Sequence, residues 1–323
     1  MPKLTAALVF SLATLFAPLY GQSANPVRPG TLNYVEGAAT LNGRPLTENA
    51  VGSAELGPGQ TLETGEGKAE LLLTPGVFLR LDNNSAVRMI SPNLTHTEVA
   101  LLSGHADVEV DQIYKENDIL ISDNGAQTQL LKNGLYEFDS NPHDVRVFSG
   151  KAAVFPSSNG EPNARAIVVK NGHELTLNPG EFGNSQHFNK NASEDDLYKW
   201  SSLRSEYLGE ANTDLASEYA GLGAFDPGWY WDAGLYGYTW LPGDGLFWSP
   251  FGFGFYSPLY VFRGGPIYGR YGHGYGYVGG RPGGGYRGGD LSRGGHGMSG
   301  GAFHGGGGFH GGGGFHGGGG GHR

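Results

Sequence analysis

The chain has 323 residues and no cysteine, which excludes disulfides, thiol chemistry, cysteine-type zinc sites and a lipoprotein anchor on a processed N-terminal cysteine. Its formal charge of -10 is uneven: residues 22–220 carry 14 Lys and Arg against 27 Asp and Glu, and residues 221–323 carry 6 against 4. An acidic body does not suit a nucleic-acid partner, whose phosphates require clustered Lys and Arg.

At the N-terminus, Lys3 precedes the uncharged apolar run LTAALVFSLATLFA, and Pro18 and Gly21 follow. The run is shorter than the roughly 20 apolar residues that span a bilayer. Residues 1–21 therefore read as a cleaved secretory signal peptide, with 22–30 as a linker. No later segment reaches transmembrane length, so the mature chain is expected to be periplasmic, secreted or at the cell surface, without an integral membrane span.

Residues 31–183 are a dense succession of short apolar segments: AELLL, VFLRL, AVRM, EVALL, ADVEV, DILI, VRVF, AAVF, AIVV and ELTL. In VFLRLD, alternation places Val77, Leu79 and Leu81 inward and Phe78, Arg80 and Asp82 outward. In ADVEVD, Ala106, Val108 and Val110 face one way and Asp107, Glu109 and Asp111 the other. Asn42-Gly43, Asn124-Gly125, Asn133-Gly134 and Asn171-Gly172 read as chain reversals, because Asn-Gly tolerates the positive φ of a type I′ turn. Ser103-Gly104 and Ser149-Gly150 lie beside strands in the same way, and Pro75-Gly76 suits a type II turn. The predicted fold is mostly β: a short-stranded antiparallel sandwich or roll, or a short β-solenoid, followed by one helix and a disordered Gly-rich tail.

The helix is expected over 193–220. Ser193 and Asp196 fit a capping box, and Leu197, Trp200, Arg204, Tyr207 and Leu208 recur at helical spacing on one face. Trp200 and Tyr207 are expected to cover an end of the β domain. Residues 224–262 hold Trp229, Trp231, Trp240 and Trp248 among frequent Gly and Pro, which argues against a long helix or a regular strand there. Aromatics at this density should bury, by packing on the β domain or by association. Residues 263–323 form a Gly/His-rich tail ending in FHGGGG repeats. Of the 59 glycines, 40 lie after residue 220, so the tail reads as disordered.

Chemistry-bearing patterns are few. His304, His310, His316 and His322 are spaced by six, and glycine spacers would let several converge weakly on a divalent ion. The plainer reading is a soluble tail without specific chemistry. His96, His105, His143, His173 and His187 are scattered among turns without a metal-binding motif. Asp107, Glu109 and Asp111 could hold calcium, but a solvated strand face is the expectation. Neither a nucleophile elbow nor a phosphate or dinucleotide loop is present. No catalytic residue and no cofactor are expected, and the chain reads as a non-enzyme.

The run LGPGQTLETGEGKAELLLTPGVFLRLDNNSAVRM, with LLSGHADVEV after it, resembles the FecR domain, the periplasmic β domain of iron-dicitrate sensor proteins. The positions that carry the resemblance are Leu62, Thr64, Gly65, Gly76, Leu79, Leu81, Ser85, Leu102 and Gly104, and VRVFSGKAAVF resembles the family's closing hairpin around Gly150. It covers roughly residues 31–182 and consists of turn glycines and core leucines. It implies a non-enzymatic domain for sensing or protein contact, which in well-known members relays a signal from an outer-membrane transporter to a sigma factor. This chain departs from that plan: it lacks the cytoplasmic segment, and Gly134-Leu135-Tyr136-Glu137-Phe138 stands where the family has Gly-Thr-x-Phe. Two functions follow as expectations: a binding or sensing scaffold that contacts a protein or envelope component, or a structural, adhesive envelope protein acting through its aromatic and Gly-rich C-terminal third.

Overall fold

The structure is a computed structural model and describes residues 27–156, 165–178, 182–222 and 225–268. The expected signal peptide and the tail histidines His304, His310, His316 and His322 lie outside the described residues.

The described chain is mostly β. It opens with β1 (Thr31–Leu41) and the two-residue β2 (Arg44–Pro45). Then come β3 (Thr61–Leu72), β4 (Val77–Leu81), β5 (Ala86–Asn93), β6 (His96–Ser103) and β7 (His105–Val110). The sheet continues with β8 (Asp118–Asp123), β9 (Ala126–Leu130), β10 (Gly134–Ser140), β11 (His143–Val147) and β12 (Lys151–Pro156), and closes with β13 (Ile167–Lys170), β14 (His173–Thr176) and β15 (Gln186–His187). All pairings are antiparallel except β6 with β8.

One bent strand makes two layers from this sheet. The start of β3 (Thr61–Glu63) pairs with β5, whereas its end (Ala69–Leu72) pairs with β4. One layer runs β5, β6, β8, β9, β12, β13, and the other β4, β7, β10, β11, β14, β15. β1 follows β3 round the corner, with Gly37 opposite Gly67. A Cβ on Gly37 would lie 2.2 Å from the Glu66 carbonyl oxygen, and one on Gly67 2.3 Å from that of Glu36, so the bend needs glycine on both strands. Between the layers lies one apolar core, in which Val99, Ile121 and Val154 of the first meet Leu79, Val108 and Val145 of the second.

The turn signals divide into two kinds. Asn42-Gly43 and Asn124-Gly125 have φ of 50° and 74°, and of 45° and 75°, as a type I′ hairpin requires. At Pro75-Gly76 the Val77 amide donates to the Thr74 carbonyl at 2.8 Å and Gly76 has φ 83°, which closes a type II turn. The other four are not hairpins. Ser103-Gly104, Asn133-Gly134, Ser149-Gly150 and Asn171-Gly172 each join strands of opposite layers that do not pair with one another. The closing hairpin expected around Gly150 is thus a crossover: β11 pairs with β10 and β14, and β12 with β9 and β13. A local turn signal fixes that the chain reverses, and the destination of the next strand is set by the core.

The long helix α1 spans Asp196–Tyr219 and begins later than expected. Ser193 closes a preceding 3-10 turn, and the cap is Asp195, whose Oδ1 accepts from the Tyr198 amide at 2.9 Å. Leu197, Arg204 and Leu208 are buried as expected, but Tyr207 is exposed, and Trp200 is half-buried against Tyr34. The buried stripe includes Ser201, Ser205 and Asn212, a polar face turned to the sheet.

The aromatic region does form regular strands, contrary to expectation. β16 (Gly228–Asp232) pairs with β17 (Gly237–Leu241), and β18 (Leu246–Trp248) with β19 (Gly254–Tyr256), before a short α2 (Pro258–Phe262). Gly and Pro mark the turns and ends of these hairpins. Their aromatic residues pack on the outer face of the second layer, where Trp240, Phe255 and Leu208 enclose Phe78 and Leu72. Two buried asparagines hold them there. Asn33 accepts from the Tyr238 amide at 2.7 Å and donates to its carbonyl at 2.9 Å. Asn212 accepts from the Tyr256 amide at 2.7 Å and donates to the carbonyls of Trp240 and Tyr256.

Candidate functional site

Alternation along β4 and β7 holds as predicted, but the face opposite the core is not solvated. Phe78, Arg80, Asp107, Glu109 and Asp111 are all fully buried. The reason is α1 and the aromatic hairpins, which cover that face. On it lies a row of charges at directly opposed strand positions: Glu70, Arg80, Asp107, Glu137, Arg146 and Glu174, one each from β3, β4, β7, β10, β11 and β14.

The Glu70 end of the row is closed by complementary charge. Glu70 accepts from Arg80 Nε at 2.7 Å, from Arg204 Nη2 at 2.9 Å and from Asn33 Nδ2 at 2.9 Å. Arg80 also pairs with Glu109, which accepts from Ser205 Oγ at 2.7 Å. The Arg204 guanidinium stacks 4.1 Å from the Tyr34 ring centroid. Burial pushes the Glu70 carboxyl up, but the Arg204 and then the Arg80 charge outweigh it and hold it down at about 2. Arg80 is pushed down by burial and raised further by Glu109 and Glu70, so it stays charged.

The middle of the row is different. Asp107 and Glu137 face each other as like charges, which is unfavourable at directly opposed positions. Ser201 Oγ donates to Asp107 Oδ2 at 2.7 Å, and Arg146 Nη1 donates to Glu137 Oε1. His105 lies beside both, with Nε2 3.5 Å from Glu137 Oε1 and Nδ1 3.4 Å from Asp195 Oδ2. Burial and the Glu137 charge push Asp107 up to about 7. Burial would lower His105, but Asp82 and Glu137 raise it to about 11.

The positions behind the resemblance are structural. Thr64, Ser85 and Gly104 meet at one corner: the Thr64 hydroxyl donates to the Ser85 carbonyl and accepts from the Ser85 amide, and Ser85 Oγ accepts from the His105 amide at 2.9 Å. A Cβ on Gly104 would fall 2.2 Å from Ser85 Oγ. Gly65 lies beside Ala38 at the bend, Gly76 packs against Trp240, and Gly150 lies under the Tyr136 hydroxyl. Leu79 and Leu81 are core residues, whereas Leu102 is 43% exposed and its neighbour Leu101 is the buried one. Sequence reasoning missed the roles of Glu70, Arg80 and Glu137. The available signal was outward-facing charge on adjacent strands followed by a helix with Ser201, Arg204 and Ser205 on one side.

No family model matches the chain, and no curated protein matches it. Among solved structures, two crystal structures of a "putative anti-sigma factor" from Parabacteroides distasonis ATCC 8503 are similar to it, at 14% and 13% identity and TM-scores of 0.32 and 0.33. Each likeness covers 44% of this chain and 62% or 63% of the other. The chain thus spans under two thirds of the structures it matches, and likenesses this slight assign neither fold nor function. Among the described residues, no helix is long and apolar enough to cross a membrane.

Proposed function

We propose that the chain is a non-enzymatic, extracytoplasmic binding or sensing scaffold of FecR-like type, delivered by residues 1–21 and contacting a protein or another envelope component. The observation that carries this reading is the use made of its polar residues. Thr64, Ser85 and Gly104 tie one corner of the sandwich together, and Glu70, Arg80, Glu109 and Arg204 are sealed under α1, where they hold the helix to the sheet. Side chains so enclosed offer a substrate nothing to touch, and the remaining surface is available for recognition.

The adhesive reading is narrowed by the same packing. Trp240 and Phe255 cover Phe78, so residues 225–268 pack on the folded body, and association would fall to the exposed Trp231, Tyr236 and Phe262 and to the tail beyond. The test is crosslinking capture from envelope extract, with the mature full-length chain and a chain ending at residue 268 as parallel baits. A partner held by both supports the scaffold. A partner held only by the full-length chain transfers the function to the tail. Turnover of an envelope polymer by the purified protein overturns the non-enzymatic reading.

A further inference from the structure

We propose that His105, Asp107 and Glu137 form a binding site for one divalent transition-metal ion of the zinc class, set between the sheet and the start of α1. One ligand atom from each of the three lies within 4.8 Å of the others, a spread that an ion at ordinary Zn–N and Zn–O distances draws together with small side-chain movements. This site is separate from the tail histidines, and it is built from residues that the sequence scatters over two strands.

The second observation is which atoms are already occupied. Each carboxylate has one oxygen engaged and one free. Asp107 Oδ2 accepts from Ser201 and Glu137 Oε1 from Arg146, whereas Asp107 Oδ1 and Glu137 Oε2 are buried without a hydrogen-bond partner. On His105, Nδ1 faces Asp195 and Asp82, while Nε2 is buried without a hydrogen bond, 3.5 Å from Glu137 Oε1. Buried polar atoms are nearly always satisfied, and these orphans belong to the three residues whose ligand atoms cluster, so a positive partner shared by the carboxylates would satisfy them. Asp107 and Glu137 are 0% and 1% exposed, which shields them from water.

The charge row argues the same way. It reads Glu70, Arg80, Asp107, Glu137, Arg146, Glu174, and its signs alternate everywhere except between Asp107 and Glu137. An ion there, bound in place of the imidazole proton of His105, completes the alternation. The surroundings also resemble the outer support of a metal site: a carboxylate on Nδ1 of the histidine fixes the tautomer that presents Nε2, and the ligating carboxylates are themselves hydrogen-bonded. One imidazole nitrogen and two carboxylate oxygens suit zinc or its first-row neighbours, because imidazole disfavours calcium and magnesium. Asp195 caps α1 and Ser201 lies within it, so an ion here would fasten the helix start to the sheet.

The test uses the full mature chain with His273, His296, His304, His310, His316 and His322 each replaced by asparagine, which removes competing imidazoles. Titration with Zn2+ and with Co2+ is expected to give one equivalent per chain and a higher melting temperature. Glu137→Gln and His105→Asn are expected to weaken binding by at least ~100-fold, more than loss of an outer support does. Should those variants not fold, X-ray absorption of the zinc-loaded parent decides alone: one imidazole with oxygen donors is expected. No equivalent bound by the parent, full binding retained in both variants, or a shell with no imidazole or several, would overturn the site.

Discussion

Arg204 of α1 donates to Glu70 of β3 at 2.9 Å, and this ion pair joins the helix to the sheet where both partners are almost wholly buried. Removing one member of a buried, hydrogen-bonded pair strands the other charge and costs on the order of 3–5 kcal/mol. Arg204→Met is therefore expected to lower the urea midpoint sharply. The double variant Arg204→Met with Glu70→Gln is expected to recover part of the loss, because no buried carboxylate is then left facing the gap. A double variant no better than the single one would mean that packing, and not charge, holds the helix.

Acid should loosen the same seam. Glu70 is held at about 2 in the folded protein, below the ordinary carboxyl value of 4.5. A depressed folded pKa contributes stability above the unfolded value that is lost as pH falls through the folded one, here between about 4.5 and 2. The contribution is on the order of 3 kcal/mol. Urea unfolding at pH 6 and pH 3 is expected to show a smaller drop for Glu70→Gln than for the unaltered protein. Equal drops would place the acid sensitivity elsewhere.

Two glycines of similar φ should respond very differently to alanine. Gly104 and Gly125 have φ of 81° and 75°. A Cβ on Gly104 would meet Ser85 Oγ at 2.2 Å, and one on Gly125 meets nothing within 4 Å. Gly125→Ala should cost only the left-handed backbone penalty, about 1–2 kcal/mol. Gly104→Ala should cost several kcal/mol, since the Thr64–Ser85 corner must also move. Comparable melting temperatures for the two would show that the corner yields.

Trp240 and Trp231 belong to one hairpin strand pair, yet Trp240 is fully buried and Trp231 is 38% exposed. Trp240→Ala is expected to cost about 3–5 kcal/mol and Trp231→Ala clearly less. A chain cut after residue 220 should bind a hydrophobic dye, because it leaves Phe78 and Leu72 uncovered. A truncated chain that melts like the intact one and binds no dye would show that the hairpins are dispensable.

Much of the fold was legible in the residues. The period-two pattern in VFLRL and ADVEV gave strands and the correct inward sides, because that pattern is a property of each strand by itself. β1, β9 and β10 lack the uninterrupted apolar runs that mark the other long strands. AQTQL and GLYEFDS carry too many polar residues, and Gly37 and Ala38 interrupt TLNYVEGAATL. The burial of Asp107 and Glu109 was not legible either. A charged outward face reads as solvated unless something covers it, and the groups that do, Ser201 on Asp107 and Ser205 on Glu109, lie about a hundred residues along the chain. The helix hid it further, since its sheet-facing stripe mixes Ser201, Arg204, Ser205 and Asn212 with leucines and so lacks a clean apolar face. His105 and Glu137 belong to β7 and β10, whose pairing no local signal announces.

The side-chain amides of Asn33 and Asn212 have a consequence for how the aromatic hairpins can be buried at all. A short aromatic strand such as β17, bonded on one side only and buried along its length, would otherwise enclose unmet amides and carbonyls. Here the two asparagines occupy those groups on Tyr238, Trp240 and Tyr256, standing in for a neighbouring strand without being one. Two uncharged side chains thereby settle the polar groups of an aromatic segment inside the fold, and loss of either would leave a buried amide and a buried carbonyl unmet.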